Sequence, residues 1–154
     1  MMSKQAMLIA ARNTSGYPEP FRSRVQPREK RALGDAFGLD TIGVNLTTLG
    51  PGAESSMRHW HEKEDELVYV LEGELVLRHD GGEETLGAGM VVGFKAGVAN
   101  AHQFVNRATK PAVYLEISNR VGSAERVEYP DVDLALLMDE QGRSEFVHKD
   151  GTPY

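Results

Sequence analysis

From residue 41 onward, apolar residues come in short runs, each closed by a turn signal. Residues 41–49 (TIGVNLTTL) are rich in β-branched side chains and stop at Gly50-Pro51-Gly52. Residues 66–72 (ELVYVLE) form a strong β run ending at Gly73, and residues 74–79 (ELVLRH) run into Asp80-Gly81-Gly82, a hairpin-turn sequence. Residues 55–61 are compatible with an extended segment. Residues 83–86, 90–94, 102–106 and 112–119 (AVYLEISN) continue the series, with glycines at 87, 89, 93 and 97. Such spacing, with no amphipathic helix of about 10–15 residues between the runs, predicts an all-β chain. A sandwich and a closed barrel satisfy it equally. Residues 66–72 are apolar on both faces, Val68 and Val70 on one, Leu67, Tyr69 and Leu71 on the other. That predicts a strand covered on both sides.

The flanks read differently. Residues 1–39 hold few periodic apolar positions and include Pro18, Pro20 and Pro27, which predicts an extended arm with a short helical turn near residues 29–36. After residue 120 one apolar segment, 132–138 (VDLALLM), suits a strand or a short helix. The expected organisation is an arm (1–39), a β body (40–120) and a C-terminal extension (121–154) that packs on the body.

The length of 154 residues suits one domain. The absence of cysteine excludes disulfides, thiolate-bound zinc, iron–sulfur clusters and a thiol nucleophile. Charge is uneven: residues 1–31 carry seven basic and two acidic side chains, whereas the rest carries ten basic and 21 acidic. The basic strip could bind phosphate or nucleic acid, or lie on the acidic body of its own or a partner chain. The second reading is preferred, because no aromatic residues interleave the charges. The net charge of −6 and the lack of a helix-turn-helix segment argue against a nucleic-acid partner. The apolar run 6–11 (AMLIAA) is too short for a membrane span or a secretory signal, so a cytoplasmic protein without a membrane partner is expected.

The chemistry concentrates on histidine. His59 and His61 flank Trp60, and positions i and i+2 of a strand share a face, so both imidazoles project together. Residues 62–66 (EKEDE) add carboxylates directly before a β run, and His102 opens a later one. Three imidazoles and one carboxylate suit one divalent transition metal with open positions. Iron, manganese, zinc and nickel all accept such ligation, and soft-ligand metals are disfavoured without a thiolate. Strand parity alone leaves the ligating acid undecided.

These residues fall into two motifs. The first is Gly52, then His59-Trp60-His61, four residues, Glu66, six residues, Gly73. The second is Gly89, five residues, Lys95-Ala96-Gly97, then His102, three residues and Asn106. Together they resemble the paired motifs of the cupins, over about residues 40–120. The chain departs from that pattern in Lys95 for the usual proline, in Met90 for a common acidic residue, and in four rather than two residues between Gly97 and His102. The resemblance implies a double-stranded β-helix, a small jelly-roll-like barrel, with His59, His61, Glu66 and His102 as metal ligands. It selects Glu66 among the acids and implies a homodimer. Residues 148–154 look like the tail of uncharacterised single-domain cupins, some bearing a sugar-phosphate isomerase label, which is an analogy of fold rather than of site.

Other positions have assignable roles. Along residues 112–119, one face carries Ala112, Tyr114, Glu116 and Ser118, the other Val113, Leu115 and Ile117. If the first face points inward, Tyr114 and Glu116 become candidate acid–base groups, and the pattern leaves both orientations open. Phe104 is expected to wall the pocket and Asn106 to tie a turn. Met57 is expected in the core and Trp60 on the outer face or against a partner chain. Arg58 is expected in a structural or surface role, and His79 and His148 at the surface. The functional expectation is a metal-dependent enzyme acting on a small oxygenated molecule, anionic or sugar-like, of the dioxygenase, isomerase or decarboxylase class. A non-catalytic metal-dependent binding or sensor module is the alternative, and a storage or structural role is a third.

Overall fold

The computed structural model describes residues 2–154. Twelve strands and three short 3-10 turns account for the regular structure. In chain order the strands are β1 (Arg28–Ala32), β2 (Ile42–Leu49), β3 (Trp60–His61), β4 (Glu66–Glu72), β5 (Glu74–His79) and β6 (Gly82–Gly87). They continue as β7 (Val91–Phe94), β8 (Gln103–Val105), β9 (Ala112–Asn119), β10 (Arg126–Tyr129), β11 (Leu134–Met138) and β12 (Ser144–Val147). All paired strands are antiparallel. One layer is a five-stranded sheet ordered β1-β2-β9-β4-β7. The other consists of β6-β5-β8 and β12-β11-β10-β3. Isolated bridges Glu54↔Val105 and His59↔His102 join its two parts, so residues 54–61 bring β3 alongside β8.

Two apolar clusters fill the interior. In the first, Leu49, Val68, Val70 and Tyr114 from the five-stranded sheet meet Leu75, Leu77, Leu86 and Phe104 from the other layer. In the second, Tyr17, Phe21 and Val25 of the N-terminal segment pack on Met57, Val127, Tyr129 and Leu134. The N-terminal segment therefore lies on its own chain's C-terminal strands. At Gly73, φ is +77°, and a Cβ would stand 2.9 Å from the Pro111 carbonyl oxygen, so the β4–β5 turn demands glycine.

Three expectations are corrected. Residues 29–36 do not start a helix: Arg28–Ala32 is an edge strand paired with β2, and a 3-10 turn follows at Asp35–Phe37. The free edge of β2 satisfies this backbone better than an isolated helical turn, which leaves most of its groups unbonded. Strand β4 is covered on one side only, with Leu67, Tyr69 and Leu71 exposed. Residues 55–61 are regular only at Trp60–His61. The choice at residues 132–138 resolves as strand, because β11 is sandwiched between β10 and β12. No helix among the described residues is long and apolar enough to cross a membrane.

Candidate metal centre

The site grows out of sheet register. On β4, Glu66 and Val68 face inward, opposite Ser118 and Glu116 of β9. Asn45 of β2 lies opposite Glu116, and Lys30 of β1 lies opposite Thr47, so Lys30 and Glu116 reach each other diagonally across β2. From the other layer, the His59↔His102 bridge sets those two rings side by side, with centroids 4.8 Å apart. His61 follows two residues on and is opposite Val127 of β10. Directly opposed residues share a face, which is why His59, His61 and His102 all meet the inner face of β4.

All three imidazoles turn Nε2 toward one atom, Glu66 Oε2. The distances are 3.8 Å for His59, 3.6 Å for His61 and 2.9 Å for His102. The donor atoms of His59, His61 and Glu66 lie within 4.8 Å of one another, and His102 joins through its hydrogen bond to Glu66. Ligands each about 2.1 Å from one ion stand about 3 to 3.4 Å apart; His102 is at that distance from Glu66, His59 and His61 are a few tenths of an ångström wider, and the donor set of imidazoles and one carboxylate is that of a divalent metal. The His59 imidazole is also oriented for it, whereas Nδ1 of His61 and of His102 has no hydrogen-bond partner. His59 Nδ1 lies 2.9 Å from the Met57 carbonyl oxygen and 3.2 Å from Ser56 Oγ, which assigns the proton to Nδ1 and leaves the Nε2 lone pair free. Phe94, opposite Glu66 on β7, stacks on His102 with centroids 3.4 Å apart.

Electrostatics agree. Burial lowers the His59 pKa to about 3, so the ring is neutral and able to ligate. Burial pulls Glu66 upward, but the His102 hydrogen bond and the His59 and His61 imidazoles outweigh it and hold the carboxyl at about 2. Of the other acids of residues 62–66, Glu64 stays beside the cluster and Asp65 and Glu62 do not reach it. Asp65 Oδ1 accepts from the Ala96 amide at 2.7 Å, Glu64 lies 3.8 Å from His61 Nδ1, and Glu62 is exposed.

A cavity of about 300 Å³ opens above this cluster, between the two apolar clusters. Its lining includes Glu116, Lys30, Arg28, Ser55, Ser56, Tyr17, Tyr129 and Phe104. The inward orientation of β9 is therefore the one adopted. Glu116 reaches the cavity, paired with Lys30 at 2.6 Å. Tyr114 does not line it: it is fully buried in the apolar core, its hydroxyl without a hydrogen-bond partner. Burial, then the Glu116 charge, raises its pKa well above the ordinary phenol value.

The remaining expected positions are also located. Asn106 ties its turn, donating to the Leu49 and Lys110 carbonyls. Met57 is buried in the second cluster, and Arg58 pairs with Asp80 and Asp131. Trp60 is absent from the lining of that cavity but borders a second one of about 230 Å³, which His61, Glu66 and His102 also line, beside Lys95 and Val98. His148 pairs with Asp133 at 2.8 Å and stacks on Tyr154.

Several contributors carried no sequence signal. Glu125, buried just before β10, accepts from the Glu62 and Lys63 amides and stands 3.6 Å from His61 Nδ1. Tyr129 lies against the His59 ring at 5.6 Å, and its hydroxyl is 3.4 Å from that of Tyr17. Glu125, Tyr129 and Tyr17 come from segments outside the two motifs, and only packing brings them here.

Two antiparallel layers closed around a histidine–glutamate cluster define a small β-barrel of the cupin type. The chain belongs to the cupin superfamily. Residues 45–118 match the cupin domain family. A sugar phosphate isomerase of the cupin superfamily from Silicibacter pomeroyi is 41% identical, with a TM-score of 0.93 over 99% of this chain and 96% of that one. A candidate sugar phosphate isomerase from Acidithiobacillus ferrooxidans is 33% identical, with a TM-score of 0.73 over 82% and 80% of the two chains. The polyketide cyclase RemF from Streptomyces resistomycificus shares the fold at 21% identity and a TM-score of 0.65, over 77% of this chain and 79% of that one. No match was found among curated proteins. Cupins typically bind a metal, and the His59–His61–Glu66 group is present here.

Proposed function

We propose that this protein is a metal-dependent enzyme acting on a small oxygenated molecule. One observation carries the reading: three imidazole nitrogens converge on Glu66 Oε2 at the wall of a cavity of about 300 Å³. His59, His61, Glu66 and His102 would hold one divalent ion, iron, manganese, zinc or nickel. Such an ion, when bound, polarises a substrate oxygen or, if redox-active, supports dioxygen chemistry.

The chain's own residues supply the rest. Glu116 faces the cavity as a carboxylate held by Lys30, placed to take a proton from a substrate carbon or hydroxyl and return it. Tyr114, behind it, is a positioning residue: its bulk fixes β9 and its hydroxyl stays protonated. Tyr17 and Tyr129 also keep their protons, because burial raises both; Tyr17 donates to the Tyr129 hydroxyl, which is left as the donor to the cavity. Val68, Phe104 and Val127 make the dry part of the wall. Proton shuttling between neighbouring positions of one molecule is isomerase chemistry. The sugar phosphate isomerase description of the 41% identical relative supports that class over decarboxylation.

The proposal includes a homodimer. Ile42, Leu67, Tyr69, Leu71 and Val91 are exposed on the outer face of the five-stranded sheet. A two-fold copy would cover this apolar surface with the same residues.

The deciding experiment is elemental analysis of protein expressed without added metal, beside the His59→Ala/His61→Ala variant. About one equivalent of metal in the parent and none in a folded variant supports the reading. Equal metal content in both overturns it. Turnover screening on sugar phosphates, with Glu116→Gln as the silent control, then separates an enzyme from a binding module.

A further inference from the structure

The basic N-terminal strip is mostly consumed by the protein itself. The chain has eleven arginines, and ten of them pair with an aspartate or glutamate. Arg28 is the exception among the described residues. It is half-buried on β1 and lines the same cavity as the histidine–glutamate cluster. Lys30, two residues along the same face, is neutralised by Glu116. The cavity wall therefore carries one cation with no carboxylate at ion-pair distance, because Glu66, the other carboxylate of the lining, is engaged by the three imidazoles.

That cation is held in place. Arg28 Nη1 donates to the Ser55 carbonyl, at the start of the segment in which Ser56 Oγ touches His59 Nδ1. A guanidinium offers five N–H donors in a planar fork, and one is used here. A fixed fork with spare donors, in a partly enclosed space, matches a carboxylate or phosphate group. A neutral sugar would leave the guanidinium without an ion-pair partner.

We infer that Arg28 anchors an oxyanion group, carboxylate or phosphate, so that the ligand of this cavity is a small organic anion. The inference rests on the reading of this cavity as the active site and narrows its substrate class. The cavity volume of about 300 Å³ limits that anion to a small molecule, at the lower end of ligand pockets.

Calorimetric titration tests this, with inorganic phosphate, malonate and the neutral sugar xylose as probes. Each is titrated into the protein as purified and after chelator treatment, for the parent, Arg28→Gln and Arg28→Lys. Metal content and circular dichroism are measured on the same samples. At least one anion is expected to bind the parent, and the anion preferred tells phosphate from carboxylate. Arg28→Gln should weaken it at least tenfold with metal content and fold unchanged. Arg28→Lys, which keeps the charge and loses the fork, should fall between and serves if Arg28→Gln does not fold. Anion affinity within twofold of the parent in the variants, or no anion binding in either metal state, overturns the inference. Arg28-dependent anion binding in protein that never takes up metal would sink the metal reading and leave this one standing.

Discussion

Lys30 and Glu116 form a 2.6 Å ion pair across one intervening strand, at the edge of the cavity that holds the histidine–glutamate cluster. Lys30 comes from the N-terminal edge strand and Glu116 from the middle of the five-stranded sheet. The pair is partly shielded from solvent, so removing one partner leaves the other poorly solvated. Lys30→Met should destabilise the fold by about 1 kcal/mol in urea unfolding. Lys30→Met/Glu116→Leu should recover most of that loss. Additive losses would show that the two groups are not coupled.

Acidification should destabilise the metal-free protein in two overlapping stages. His59 is held at about 3 against an ordinary value of 6.5, so the unfolded chain takes up the proton first, and stability falls from about pH 6.5 toward 3. Glu66 is held at about 2 against 4.5, so its contribution is present above about pH 4.5 and is lost as pH falls toward 2. Thermal melts of chelator-treated protein should show a midpoint falling from neutral pH downward. His59→Gln should flatten the upper part of that fall. A midpoint independent of pH over this range would contradict both assignments.

Glu125 supports the site from behind. It accepts from two backbone amides of residues 62–63 and faces His61 Nδ1. Glu125→Ala should loosen that turn and the His61 ring together, lowering metal affinity by about 10–100-fold while the barrel remains folded. Competition with a chromophoric chelator measures this. Unchanged affinity would confine Glu125 to a structural role.

Asn106 bridges a buried turn. Its amide donates to two carbonyls and its Oδ1 accepts from the Ala108 amide at 2.9 Å. Asn106→Ala strands those groups and should cost about 2–3 kcal/mol in urea unfolding. Asn106→Asp, which keeps the acceptor and loses the donors, should cost a comparable amount. A loss below the resolution of the measurement would mean that water replaces the side chain.

The outer face of β4 tests the homodimer. Leu67→Asp/Tyr69→Glu places charge in the centre of the exposed apolar surface. Light scattering should then report half the parent mass, with secondary structure retained. A parent that is already monomeric would remove this surface from consideration as an interface.

Much of the β pattern was legible along the chain because its signals are local. The runs at 66–72, 74–79 and 112–119 coincide with β4, β5 and β9, since alternation and glycine-closed turns act over a few residues. The shared face of His59 and His61 follows from the period of a strand in the same way. Tertiary structure decided which face is inside. Residues 66–72 and 112–119 carry apolar side chains on both faces, so composition alone cannot orient them. Pairing with β2, β4 and β7 turned Glu66 and Glu116 inward and left Leu67, Tyr69 and Leu71 outside. The edge strand at Arg28–Ala32 was likewise hidden, because a charged sequence becomes a strand only where a free sheet edge supplies its hydrogen bonds. The cavity then gathered Arg28, Tyr17 and Tyr129 from both ends of the chain, with Glu125 behind His61. Such contacts depend on positions far apart in sequence, and no local period records them.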